Sequence, residues 1–123
     1  MNLKASYRYS GHLLIGLGLL HTAVAIGIYA EPLRAIVESG MGEIGSAVNY
    51  EREAAFWFLF AGLTTIIIGL LTRWIHHHTG TIPSFLGWSF LVMSVIGTLI
   101  MLESGFPLLI PVSVFLIAAA RNP

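Results

Sequence analysis

The stretch GHLLIGLGLLHTAVAIGIYA, residues 11–30, decides the fold. It carries no Asp, Glu, Lys or Arg. At 1.5 Å per residue, a helix of that length crosses a hydrocarbon core about 30 Å thick. The apolar core of a signal peptide is shorter, roughly 7–15 residues, so the run reads as a membrane span. His21 lies near its middle. An ionisable side chain at that depth is costly and marks a functional site by default.

Three further apolar runs follow, at residues 54–74, 82–102 and 106–120. The last is short and contains Pro107 and Pro111. Backbone in lipid must satisfy its own hydrogen bonds, which leaves helices or a closed barrel. Thr64–Leu71 shows none of the alternation that barrel strands need. Composition agrees with burial in lipid: the chain is 56% hydrophobic and 10% charged, with mean hydropathy +0.83. A soluble domain carries about 25% charged residues. The expected fold is therefore all-α, a single integral membrane four-helix bundle. With no cysteine, disulfides and thiolate ligands are excluded. A net charge of zero with no basic cluster leaves no footprint for nucleic acid.

Basic residues orient the spans. Lys4, Arg8, Arg73 and Arg121 fall on one side, Arg34 and Arg52 on the other. Both termini are thus expected in the cytoplasm. All six carboxylates (Glu31, Glu38, Glu43, Glu51, Glu53 and Glu103) fall on the outer side.

The first outer loop begins with Glu31-Pro32, a helix start, and places Leu33, Ile36 and Val37 on one face. This predicts a short amphipathic helix at the interface, followed by a return through Gly40, Gly42 and Gly45. Asn49 is placed to cap the second span, with Glu51 and Glu53 in its first turn. Thr81 is placed to cap the third, with Pro83 just inside. Ser104 and Gly105 make the turn into the fourth.

Small residues let membrane helices approach closely. Spacings of three and four pick out Gly11, Leu14, Gly18, His21, Ala25 and Ile28 on the first span. On the second they pick out Ala55, Phe58, Gly62, Thr65, Gly69 and Thr72. These two stripes predict close packing of spans one and two, with Ile66, Ile67 and Leu70 turned to lipid or to span four. The third span offers Gly87, Leu91, Ser94, Thr98 and Met101; the fourth offers Val112, Phe115 and Ala119.

His21, Thr65 and Ser94 lie on these stripes at similar depth and suggest a small polar cluster. His21 then has three readings. It can donate a hydrogen bond to Thr65, Ser94 or a backbone carbonyl and hold helices together. It can take up protons, since histidine titrates near neutrality. It can line a ligand pocket. A bis-histidine haem site needs a second histidine on a facing span, and His12 is half a turn away on the same helix. His76, His77 and His78 are consecutive and cannot all face one ion from a regular helix. No cofactor or metal is expected. An outward pocket would open between Glu53, Trp57, Glu103 and the Leu33–Val37 helix, with Arg52 placed to pair with Glu31 or Glu103.

Four strings carry a family resemblance. They are Ser10-Gly11-His12-Leu13-Leu14 with Gly18 and His21-Thr22, Arg52-Glu53-Ala54-Ala55-Phe56-Trp57-Phe58, Gly80-Thr81-Ile82-Pro83-Ser84-Phe85-Leu86-Gly87-Trp88, and Ser104-Gly105-Phe106. Across nearly the whole chain this resembles a family of small four-span bacterial membrane proteins of unknown function. The resemblance implies a four-helix fold in the bacterial inner membrane and no particular activity. The chain is distantly similar to DoxX-like four-helix proteins in size and hydropathy. It lacks the first-helix glutamate of small multidrug transporters, and its carboxylates sit at the rim rather than inside the bundle as in sterol-isomerase-like proteins.

The leading functional expectation is a non-enzymatic membrane protein. It would bind a small apolar or amphipathic ligand in an outward pocket drawn from His21, Glu53, Trp57, Thr65, Ser94 and Glu103. Membrane lipid is its expected surrounding. One alternative is an accessory subunit packing against a second copy or a partner membrane protein. Others are a proton-coupled transporter and a lipid-modifying enzyme using His21. The enzyme would need a midplane histidine to meet rim carboxylates ~15 Å away.

Overall fold

A computed structural model describes residues 7–39 and 49–121. Among them are five α-helices and no strand: α1 Ser10–Ile28, α2 Ala30–Ser39, α3 Tyr50–Thr79, α4 Ser84–Ile100 and α5 Phe106–Arg121. The four long helices fall on the four apolar runs, and α2 falls on the expected interfacial helix. The glycine return at Gly40, Gly42 and Gly45 lies outside the described residues.

Local chemistry explains most helix ends. Asn49 caps α3, its Oδ1 accepting from the Arg52 N–H at 3.1 Å. Gly80 ends α3 with φ +74°, and its N–H reaches the His76 carbonyl at 2.9 Å. Ser104 tightens the turn into α5, its N–H donating to the Met101 carbonyl at 3.1 Å and its Oγ accepting from Phe106 N–H at 3.3 Å. The α4 start differs from expectation. Thr81 does not cap it; Pro83 is the cap residue, in extended conformation, without a side-chain cap bond. Proline disfavours helical geometry in the residue before it, so Ile82 cannot be a first helical residue behind Thr81. Thr81 instead donates its N–H to Thr79 Oγ1 at 3.3 Å.

The chain divides into two compact units, Leu14–Ile68 and Met1–Leu13 with Gly69–Pro123; residues 7–13 and 69–121 of the second are described. In the first, glycine brings α1 and α3 together. A Cβ on Gly18 would lie 2.8 Å from the Gly62 carbonyl oxygen and 2.8 Å from Ile66 N. A Cβ on Gly62 would meet Thr22 Oγ1 and come within 3.0 Å of Thr22 N. Leu14, Ala25 and Ala55 are fully buried around this crossing. Two expectations need correction. Ile66 packs against Gly18 rather than turning away, because a glycine leaves room for the facing helix's next side chain. Ile28, at the end of the α1 stripe, is 68% exposed because α1 gives way to α2 after Tyr29.

In the second unit a Cβ on Gly11 would lie 2.7 Å from both the Gly69 carbonyl oxygen and Arg73 N. Gly87 is as tightly placed, 2.7 Å from Ile117 N. The buried positions are Gly87, Phe90, Ser94 and Gly97 on α4, and Ser113, Leu116 and Ala119 on α5. The α4 stripe is therefore rotated from the expected one: Gly97 packs on the Phe106 ring, and Met101 is exposed. On α5, Ser113 and Leu116 occupy the interior, while Val112 and Phe115 are half-buried. Ser113 tolerates this because its hydroxyl donates to the Leu109 carbonyl at 2.7 Å.

Large apolar side chains cover the outside. Leu19, Leu20 and Ile26 on α1, Ile67 and Leu70 on α3, and Val92 and Ile96 on α4 are all more than half exposed. Helices α1 and α3 are long and apolar enough to cross a membrane; α4 and α5, with 17 and 16 residues, are apolar but shorter.

Candidate functional site

His21 sits on α1 facing the first turns of α3. Its ring stacks on Phe58 with centroids 4.1 Å apart and planes 15° apart. Its Nε2 lies 3.0 Å from the Phe58 carbonyl oxygen. A carbonyl only accepts, so Nε2 carries the proton, and Nδ1 holds the lone pair in the neutral ring. Tyr29 adds a third ring, 5.4 Å from Phe58. Of the three hydrogen-bond partners open to His21, the structure selects the backbone carbonyl. Thr65 spends its hydroxyl on the Ala61 carbonyl, 2.8 Å away, within α3.

His21→Phe should keep the stack and lose only the hydrogen bond. The Phe58 carbonyl keeps its own helical partner, so the expected loss is about 1 kcal/mol, the net worth of one hydrogen bond. Unfolding of the purified protein in mixed micelles measures it. A loss beyond 3 kcal/mol would mean that His21 holds more than this bond.

Glu53 and Trp57 lie on α3, one turn apart. Glu53 is half-buried in the first turn. Trp57 is 64% exposed, with ring contacts to Phe56 at 5.4 Å and Phe60 at 6.0 Å. Phe56 and Phe60 stack at 5.6 Å, giving an exposed aromatic face. In the other unit, Ser94 is buried and donates to the Leu91 carbonyl at 2.9 Å. Glu103 is exposed in the turn after α4. The six expected residues thus divide between units, His21, Glu53, Trp57 and Thr65 in one and Ser94 and Glu103 in the other.

The structure adds an open hollow of about 280 Å³ where α2 meets α3, lined by Glu31, Pro32, Ala35, Asn49, Glu51 and Arg52. Arg52 does not pair with Glu31, and Glu103 belongs to the other unit. Arg52 donates to Ser39 Oγ at 3.3 Å, and Glu31 faces Arg34 at 3.9 Å, within α2. Arg52, Phe56 and Phe60 follow at spacings of four, so this cation heads the aromatic face. The sequence carried a signal for the hollow in the pairing of an amphipathic helix with a capped one. Which side chains line it depends on how α2 folds back. Among the described residues no three His, Asp or Glu side chains converge for a metal.

These features define an all-helical protein whose surface is apolar along its long helices, two of them long enough to cross a membrane. The chain belongs to DUF6463, a family of unknown function, whose model matches residues 5–123. Searches of curated proteins and of solved structures found no match.

Proposed function

We propose that this chain is a four-span protein of the bacterial inner membrane, with both termini cytoplasmic, that binds a small amphipathic ligand at its outer end. The α2–α3 hollow carries the reading. It brings together a guanidinium, an amide and two carboxylates, and its Arg52 lies one helical turn before Phe56 on the helix that bears the exposed Phe56–Trp57–Phe60 face. The ligand's polar head meets Asn49 and Arg52, and its apolar part lies on the rings, with Glu53 at the side. His21 holds α1 against α3 beneath. The membrane part draws support from burial: only 22% and 17% of the apolar windows in α1 and α3 are buried. A core helix of a soluble protein is mostly buried.

The test uses the Trp74→Phe, Trp88→Phe background, which leaves Trp57 as the sole tryptophan. In phosphatidylcholine nanodiscs, 12-bromo-1-dodecanol should quench Trp57 saturably. Ala35→Phe, which fills the hollow, should weaken that quenching at least fivefold. Linear quenching, unchanged by Ala35→Phe, would reduce the probe to simple partitioning and remove the site.

A second reading has its own observation. Gly16 and Gly27 on α1 have open space where a Cβ would stand, and both are exposed. A close neighbour, either a second copy or another membrane protein, could use that face.

A further inference from the structure

The other unit carries an apolar groove. It is open, about 440 Å³, and lined by Tyr9, Leu13, Pro111, Val112 and Phe115. That volume falls in the usual range for ligand clefts, about 300–1,000 Å³. Pro111 and Val112 on α5 contribute short side chains to its lining. One wall is Phe115, held by the edge of Tyr7 with centroids 5.4 Å apart. The other is Tyr9 and Leu13, half and two-fifths exposed.

Every lining side chain except the Tyr9 phenol is purely hydrocarbon. That phenol oxygen accepts from Arg8 Nη2 at 2.7 Å, and the guanidinium lies 4.8 Å from the Tyr9 ring centroid. A cation therefore sits against Tyr9, one of the residues that line the groove. Its guanidinium has donors to spare beyond the one on Tyr9. The segments that build the groove carry no acid at all. Residues 1–30 hold Lys4 and Arg8, and residues 104–123 hold Arg121, without a single Asp or Glu in either.

We infer that this groove seats one acyl chain of an anionic phospholipid whose phosphate is bound by Arg8. The inference rests on the proposed membrane location. On that reading Arg8 lies at the cytoplasmic interface, where its charge meets the headgroups of anionic lipids. The groove then gives one chain of such a lipid a fixed place, which a plain lipid-facing helix does not. The charge complementarity selects the headgroup, and the apolar lining selects the chain.

The experiment is photo-crosslinking of the full chain with lipids bearing a diazirine on the acyl chain. The protein is reconstituted in phosphatidylcholine vesicles and floated after a carbonate wash. It is then labelled in parallel with photoactive phosphatidylglycerol or photoactive phosphatidylcholine at equal mole fraction. Phosphatidylglycerol should label Tyr9–Leu13 and Pro111–Phe115 about fivefold more than phosphatidylcholine, the effect of one cation beside an anionic headgroup. Arg8→Gln should abolish that preference while leaving flotation intact. Val112→Trp, which enlarges a lining side chain, should remove the label from these two segments. Equal labelling by the two lipids, label spread evenly over all apolar helix faces, or a preference that survives Arg8→Gln would overturn the inference alone. A chain that fails to float overturns the membrane reading and the inference with it.

Discussion

Gly18→Leu should destabilise the protein by roughly 3 kcal/mol, the upper end of what an overfilled core costs. A Cβ there would stand 2.8 Å from a backbone carbonyl and 2.8 Å from a backbone nitrogen of the facing helix. Backbone cannot rotate aside as a flexible side chain can. The leucine must therefore push α1 and α3 apart, losing the dispersion contacts around the crossing. Gly16→Leu is the control, since nothing lies within 4 Å of its Cβ position. It should change stability by about 0.5 kcal/mol or less, as a surface substitution does. Reversible unfolding in mixed micelles compares the two. Equal effects at Gly16 and Gly18 would remove the α1–α3 crossing from the account of this fold.

Ile67→Lys should nearly abolish membrane insertion. Ile67 is 63% exposed near the middle of α3. Replacing an aliphatic side chain by lysine at the centre of a spanning helix costs about 3 kcal/mol on translocon-derived scales. That corresponds to roughly a hundredfold in the partition. The same change on a water-facing helix would be nearly neutral, within about 0.5 kcal/mol. The sign of the result therefore separates lipid from water as the surrounding of this face. Tyr50→Lys, at the first residue of α3 and 78% exposed, should leave insertion unchanged. Carbonate-resistant protein in isolated membranes measures both. An Ile67→Lys variant that stays in the membrane fraction at the parental level would place α3 in water.

Much of the α1–α3 arrangement was legible in the residues themselves. Glycine at positions 11, 18, 62 and 69 is a poor choice for a lipid-facing surface, and each of the four is buried in the structure. Asn49 announced the start of α3 through the ordinary chemistry of a cap. The α4 and α5 faces were less legible. An apolar stripe through Val112 and Phe115 is as hydrophobic as one through Ser113 and Leu116. In a chain this apolar, hydrophobicity does not tell inside from outside. The interior is marked by small size: Ser94 and Ser113 are buried, each with its hydroxyl bonded back to its own helix.

The candidate site was legible only as a set of residue types. His21 stood out because an ionisable group in an apolar run is rare. Its partner did not, because every helix residue carries a carbonyl, and only the crossing of α1 and α3 decides that the one at Phe58 comes within 3.0 Å. The sequence points to a pocket between Glu53, Trp57, Glu103 and the Leu33–Val37 helix, whereas the α2–α3 hollow is lined by Glu31, Pro32, Ala35, Asn49, Glu51 and Arg52. The groove at Tyr9 and Pro111 joins residues about a hundred positions apart, and no local pattern links them.

The sequence by itself determined the helices, their boundaries to within a few residues, and the glycines at which α1 and α3 meet. Those follow from short-range physics: run length, caps, the lost N–H of proline and the missing Cβ of glycine. The tertiary structure alone decided the partner of His21, the faces of α4 and α5 that turn inward, and the two hollows. Each depends on how far one helix is rotated and shifted against another. A rotation by a quarter turn exchanges one apolar stripe for the next at little cost in hydrophobicity, so only side-chain fit across the contact selects between them.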